Sequence, residues 1–301
     1  MVDLEFVKAI SIPSPTKIIL LVLDGLGGLP RPETGKTELE SARKPNLDRL
    51  AAEGVCGLTD PVSPGITPGS APGHLALFGY EPLRFNIGRG VLEAVGIDLE
   101  LQPGDVAARG NFCTVDKDGL ITDRRAGRIS TEKCVELCQL LDGLIIDKVK
   151  VMVQPGKDYR FTVVFRGDGL APDASDSDPQ QAGMAPLEIT ATHPEAARTA
   201  SIANQFVARA KTILAKHKPA NMVLLRGFSQ HPHFPTMADI YKLKPAAIAS
   251  YPMYRGLARL VGMDVLKTGT SIEDEFNTLV ENYAKYDFFF LHVKGADAAG
   301  E

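Results

Sequence analysis

Residues 17–28 read KIILLVLDGLGG: six apolar residues, Ile18 to Leu23, run into Asp24, Gly25 and the pair Gly27–Gly28. Such a run is far short of the ~20 residues a membrane span needs and matches a strand buried on both faces of a parallel sheet. A carboxylate just past that strand lies where open α/β sheets bind ligands, in the crevice beyond the carboxyl ends of the strands. The glycines let backbone or substrate approach closely. Asp-Gly is also ordinary turn chemistry, so Asp24 is at this point either a ligand-facing carboxylate or a turn cap.

Further along, NMVLLRG (221–227), KPAAIAS (244–250) and FFFLHVK (288–294) read as three more buried strands, and residues 55–62 as a short one. Helical patterns cover 45–53, 254–263 and 274–286, the first opened by Pro45 and closed by Gly54. Residues 1–16 read as a short helix or arm. Between these stretches the texture changes. Asp118-Gly119 and Pro155-Gly156 mark hairpins, 130–143 a helix, 168–186 a long polar loop, and 195–217 an amphipathic helix. The pattern predicts an α/β fold: a mostly parallel sheet with helices on both faces, formed by 1–87 and 219–301. An inserted α+β domain, 88–218, interrupts it.

Three groups carry candidate chemistry. In SPGITPGSAPGHLALFGY (63–80), Ser70 stands where a helical pattern begins, so open backbone N–H groups and the helix dipole favour an anion there. The plainer reading of Ser70 is an N-cap, and that of His74 a buried, hydrogen-bonded core histidine. Asp297 follows the 288–294 strand as Asp24 follows the first, so both carboxylates fall on one sheet edge. Two carboxylates and a serine suit a divalent metal with a hydroxyl nucleophile, the metal lowering the serine's pKa and neutralising a phosphoryl group. DRRAGR (123–128) concentrates Arg124, Arg125 and Arg128 beside Asp123: a solvated face, or a site for the anionic groups of a phosphorylated carboxylic acid.

Bulk properties exclude several classes. The 301 residues are 44% hydrophobic and 23% charged with net charge −4, which offers no basic footprint for nucleic acid. No stretch approaches a membrane span, and MVDLEFVKAI lacks the basic and apolar regions of a secretory signal. The four cysteines, with Cys134 and Cys138 one helical turn apart, read as reduced and structural, and the compartment as cytoplasmic. Oligomeric state is not legible.

Taken in order, LVLDGLGG, TPGSAPGHLALFGY, GRG (88–90), RGNFCT, DRRAGR and HVKGADAAG resemble the cofactor-independent phosphoglycerate mutases, in the branch first known from archaea. That family belongs to the alkaline phosphatase superfamily. The resemblance implies an alkaline phosphatase-like core and interconversion of 3-phosphoglycerate and 2-phosphoglycerate in glycolysis and gluconeogenesis. It also implies a phosphoserine intermediate at two divalent ions (Mn²⁺, Mg²⁺ or Zn²⁺), without 2,3-bisphosphoglycerate. Carried over, Ser70 is nucleophile and metal ligand, Asp24 binds the same ion, and Asp297 the other. Arg89, Arg124, Arg125 and Arg128 contact phosphate or carboxylate, and Asp123 moves protons for the glycerate hydroxyls. The family's motif ends Asp-x-x-Gly-His. Here Asp297-Ala-Ala-Gly300 meets Glu301, a metal ligand through oxygen or a residue behind the ligands. The family's further segment, with an Asp-His pair and another histidine, has no counterpart in these residues. The expectation is therefore half a metal site, with a C-terminal part missing and activity open. A phosphatase or other phosphomutase of the superfamily, and an inactive fragment, are the alternatives. In the mutase reading the insert closes over the site and keeps water out.

Overall fold

The computed structural model describes residues 3–85, 87–232 and 234–300. Its chain forms two compact units, Met1–Phe85 with Phe234–Glu301, and Asn86–His233.

The first unit begins with helix α1 (Leu4–Ile10), strand β1 (Ile18–Leu23) and helices α2 (Glu38–Ser41), α3 (Pro45–Glu53) and α4 (Ser70–Leu77). Asp3 caps α1 by accepting from the Glu5 amide, and Thr37 caps α2 in a reciprocal box with Glu40. The second unit follows: α5 (Arg89–Gly96), β2 (Val106–Val115), β3 (Ile121–Asp123), α6 (Thr131–Leu141), β4 (Ile145–Ile146), β5 (Val149–Pro155), β6 (Arg160–Arg166), α7 (Ala197–Leu214) and β7 (Met222–Gln230). The chain then returns with α8 (Met237–Tyr241), β8 (Pro245–Ala249), α9 (Pro252–Leu260), β9 (Asp264–Val265), α10 (Ile272–Asn282), β10 (Phe288–Val293) and α11 (Gly295–Gly300).

The first unit's sheet is parallel, in the order β1-β10-β8-β9. Every residue of β8 and β10 is buried, as an interior parallel strand requires. β1 departs from the expectation of burial on both faces. It is an edge strand with a single partner among the described residues, and Ile18 and Ile19 are about half exposed. An apolar run states what a strand prefers to touch, not how many neighbours it has. The register pairs Leu23 with Val293, which brings the two strand ends level at the carboxyl edge.

The second unit is an antiparallel sheet built on β2, which pairs with β3, β6 and β7. Phe112, Phe161, Phe165 and Phe206 form its core with the inner faces of α6 and α7. Cys134 and Cys138 lie there as free thiols, 3.9 Å apart. On the sheet's other face α5 approaches so closely that a Cβ on Gly90 would sit 1.9 Å from the Ala107 carbonyl oxygen.

Two further expectations fail. The stretch 221–227 belongs to β7, which pairs antiparallel with β2 inside the second unit instead of joining the parallel sheet. The second unit consequently runs past residue 218. Apolar content predicts a buried strand but not its partner. Residues 55–62 form no strand, and Val55 and Leu58 lie fully exposed. Gly54, Gly57 and Pro61 break that run.

Candidate functional site

At the carboxyl edge of the parallel sheet, two backbone bonds tie the strand ends together. The Asp24 amide donates to the Val293 carbonyl, and the Asp297 amide to the Asp24 carbonyl, each at 3.0 Å. Asp24 and Asp297 therefore face a common cleft of about 420 Å³, which Ser70, His74, Tyr254 and Lys294 also line. The Lys294 ammonium hydrogen-bonds Asp297 Oδ2 and lies 3.5 Å from Asp24 Oδ2. One cation is thus shared by both carboxylates.

Ser70 is the first residue of α4, with Gly69 as the N-cap, so the serine hydroxyl is not consumed in capping. It is exposed to the cleft. One turn on, His74 Nδ1 donates to the Ser70 carbonyl at 2.8 Å, and His74 is buried. The ring packs on Tyr254 and His292, with centroids 4.4 and 5.1 Å away. Among the described residues, neither His74 Nε2 nor either nitrogen of His292 has a hydrogen-bond partner. His292 Nε2 stands 3.5 Å from Asp24 Oδ2 without hydrogen-bond alignment.

The electrostatics follow from this packing. Burial pushes the Asp24 carboxyl up, but the Tyr254 hydroxyl, donating at 2.8 Å, together with His292, Lys294 and His74, holds it below the usual carboxylate value. Burial pushes His292 down to about 4, aided by the neighbouring His74 and Lys294 and opposed by Asp24. Burial likewise lowers His74. Both imidazoles are neutral at pH 7.

The donor set suits a hard divalent cation: two carboxylates that already share one cation, and a serine hydroxyl in the same cleft. Among the described residues no three His, Cys, Asp or Glu side chains gather as a complete metal site. Glu301 lies outside the described residues.

The second unit holds its own polar cluster. Arg124 makes a bidentate pair with Asp178, 2.9 and 2.7 Å, and the Asp178 side chain is fully buried. Arg226 reaches the same carboxylate at 3.5 Å. Asp123 accepts from the amides of Arg125 and Gly127 and so shapes the turn. Arg125 and Arg128 project to solvent, and Arg89 is exposed at the first turn of α5. Arg109, on β2, pairs with Glu93 at 3.3 Å, and its buried Nε has no hydrogen-bond partner among the described residues; Arg226 Nε lies 3.5 Å from Asp176 Oδ2.

Sequence reasoning found Asp24, Ser70 and Asp297, which the structure brings to one cleft, and Asp123 with its arginines, which lie in the other unit. It gave no role to Tyr254, His292 or Lys294. Lys294 stands inside a quoted motif, three residues before Asp297, where its charge was a usable signal. Tyr254 carried no signal, because only the packing of α9 brings it to Asp24.

Comparison with known proteins places the chain. Residues 51–221 match the family model of the 2,3-bisphosphoglycerate-independent phosphoglycerate mutases. A probable enzyme of that description from Thermosipho melanesiensis is 50% identical over 292 residues, covering 96% of this chain and 72% of its own length. One from Deinococcus radiodurans is 50% identical over 306 residues, covering 99% and 75%. Among solved structures, the cofactor-independent phosphoglycerate mutase of Thermoplasma acidophilum superposes with a TM-score of 0.79 at 33% identity, covering 92% of this chain and 77% of that one. The chain belongs to the 2,3-bisphosphoglycerate-independent phosphoglycerate mutase family.

Proposed function

We propose that this cofactor-independent phosphoglycerate mutase interconverts 3-phosphoglycerate and 2-phosphoglycerate through a phosphoserine at Ser70. The observation that carries the reading is an uncapped hydroxyl at the start of α4, in one cleft with two converging carboxylates and a lysine. Ser70 Oγ attacks the phosphorus, the substrate's ester P–O bond breaks, and the hydroxyl proton ends on the departing glycerate oxygen. The glycerate turns, and its other hydroxyl takes the phosphoryl group back with the proton returned to Ser70. The open N–H groups of the first turn of α4 and the Lys294 ammonium face the anionic phosphoryl group.

Asp24 and Ser70 would hold one divalent ion (Mn²⁺, Mg²⁺ or Zn²⁺) and Asp297 a second. Such ions supply charge neutralisation at the phosphoryl group and a lower serine pKa. Arg125, Arg128 and Arg89 serve as anion contacts for the substrate's phosphate or carboxylate, while Arg124 is held by Asp178. Asp123 has lone pairs remaining beside its two amide bonds with which to carry protons for the glycerate hydroxyls. The parallel sheet with these groups beyond its carboxyl edge accords with an alkaline phosphatase-like core, and the free cysteines accord with a cytoplasmic location.

The test is a coupled assay of 2-phosphoglycerate formation without 2,3-bisphosphoglycerate, with added Mn²⁺ or chelator, followed by acid quench and mapping of phosphoserine. Turnover with label on Ser70, both lost in Ser70→Ala, is expected. Turnover in Ser70→Ala within tenfold of the parent ends the phosphoserine mechanism. Release of free phosphate in place of isomerisation moves the assignment to a phosphatase.

A further inference from the structure

Ser70 and Asp24 come from different elements far apart in sequence, and neither is held by a partner on its own element. Lining the same cleft is Tyr254, from the first turn of α9, 2% exposed. Its hydroxyl donates to Asp24 Oδ2 at 2.8 Å. Ser70 lines the same cleft as this hydroxyl. A phenol oxygen both donates and accepts, so one atom can hold the carboxylate and the serine hydroxyl together.

The ring is fixed independently of those bonds. It lies against His292 with centroids 3.7 Å apart and 30° between planes, and against His74 at 4.4 Å. Pro252 at the first position of α9 sets the direction of the turn that carries it. The buried imidazoles therefore act as a wall behind the tyrosine, and the hydroxyl reaches the cleft from a ring that cannot swing.

We propose that Tyr254 is a positioning residue for the mutase reaction, fixing the nucleophile Ser70 and the carboxylate of Asp24 relative to one another through a single hydroxyl. The inference rests on Ser70 as nucleophile. It assigns Tyr254 no proton transfer, only the geometry from which Ser70 attacks. Outer hydrogen-bond partners of this kind are commonly worth 10- to 100-fold in activity or metal affinity when removed.

The test uses Tyr254→Phe, which keeps the ring and its packing and removes only the hydroxyl. Its kcat for 3-phosphoglycerate should fall about 10- to 100-fold with KM within about threefold of the parent. Affinity for Mn²⁺ alone, read from the free-ion EPR signal, should fall about three- to tenfold in Tyr254→Phe, and the change should add nothing in an Asp24→Asn background. Unchanged far-UV circular dichroism and an unchanged urea m-value separate this from disrupted packing, for which Tyr254→Leu is the reference. A kcat within twofold of the parent, or a rise in KM alone, overturns the proposal. So does a loss of Mn²⁺ affinity that adds in full to that of Asp24→Asn. If Asp24→Asn leaves Mn²⁺ affinity untouched, the metal assignment of Asp24 fails on its own, and the kcat and KM of Tyr254→Phe still decide the role of the hydroxyl. If Ser70→Ala keeps activity, the nucleophile assignment fails and takes this inference with it.

Discussion

Gly25 is where the site is most sensitive to one methyl group. It holds φ at +80°, in the left-handed region, and a Cβ built there would lie 2.4 Å from Asp297 Cα and 2.6 Å from Asp297 Cβ. Ordinary contacts begin at 3.4 Å, so Gly25→Ala must push the Asp297 backbone about 1 Å from Asp24, against the bond from the Asp297 amide to the Asp24 carbonyl. The strained backbone costs roughly 1–2 kcal/mol and the overpacking about 1–3. A loss near 3 kcal/mol corresponds to a fall in Tm of roughly 6–12 °C. The displacement falls on a carboxylate of the cleft, and a misplacement of that size costs on the order of 10²-fold in rate. The assay is kcat for 3-phosphoglycerate conversion beside a thermal melt, with Gly27→Ala as control. A Cβ at Gly27 meets nothing within 4 Å, so the control should stay within about 0.5 kcal/mol and twofold in rate. Parental kcat and Tm in Gly25→Ala would refute the claim that close approach at Gly25 sets the spacing of Asp24 and Asp297.

Asp178→Asn should cost about 2–4 kcal/mol in urea unfolding, because it strips the charge from a fully buried partner of Arg124 and Arg226; a loss under 1 kcal/mol would mean those guanidinium groups find other partners. Acid should destabilise the chain in chelator. Burial first, with His74 and Lys294, lowers His292 from 6.5 unfolded to about 4 folded, so the unfolded state takes up the proton first and stability drops as pH falls from 6.5 towards 4. The His292 contribution is on the order of 3 kcal/mol, and a His292→Phe chain with the same pH slope would refute it. Asp178, desolvated but held below 3.8 by Arg124, the Gln180 amide and Arg226, acts at lower pH: its contribution is full above about 4 and is lost as pH falls through its folded value. Lys294→Met leaves Asp24 and Asp297 without their shared cation, so it should melt lower than the parent in chelator, by about 1–2 kcal/mol, and gain more from added Mn²⁺; an equal gain in both chains would show that lysine and metal do not share a place.

The parallel sheet was legible because β8 and β10 are short apolar runs between breakers, and because carboxylates at equivalent strand ends point to one edge. The partner of β7 was not, since parallel and antiparallel strands with buried faces share one vocabulary of Val, Leu and Met. Nor was the edge position of β1: Ile18 and Ile19 read as core, yet lie half exposed. At the site, the residues suited to meet substrate announced themselves through charge or hydroxyl chemistry beside glycine. Tyr254 and His292 did not, because an aromatic residue in a helix or a histidine within FFFLHV reads first as packing, and packing is what they also do.

That double duty explains how two carboxylates and a lysine can stay poised at one sheet edge. A protonated imidazole 3.5 Å from Asp24 would compete for the carboxylate and fix it as a permanent ion pair. Burying His74 and His292 keeps them neutral, so the compensating charge in the cleft belongs to Lys294, which is one-fifth exposed. The same burial makes the imidazoles a rigid backing for Tyr254, whose single hydroxyl then fixes the geometry of Asp24 without adding charge. Orientation and charge are thereby supplied by different residues. A cation can be exchanged at Asp24 and Asp297 without dismantling what holds Ser70 in place.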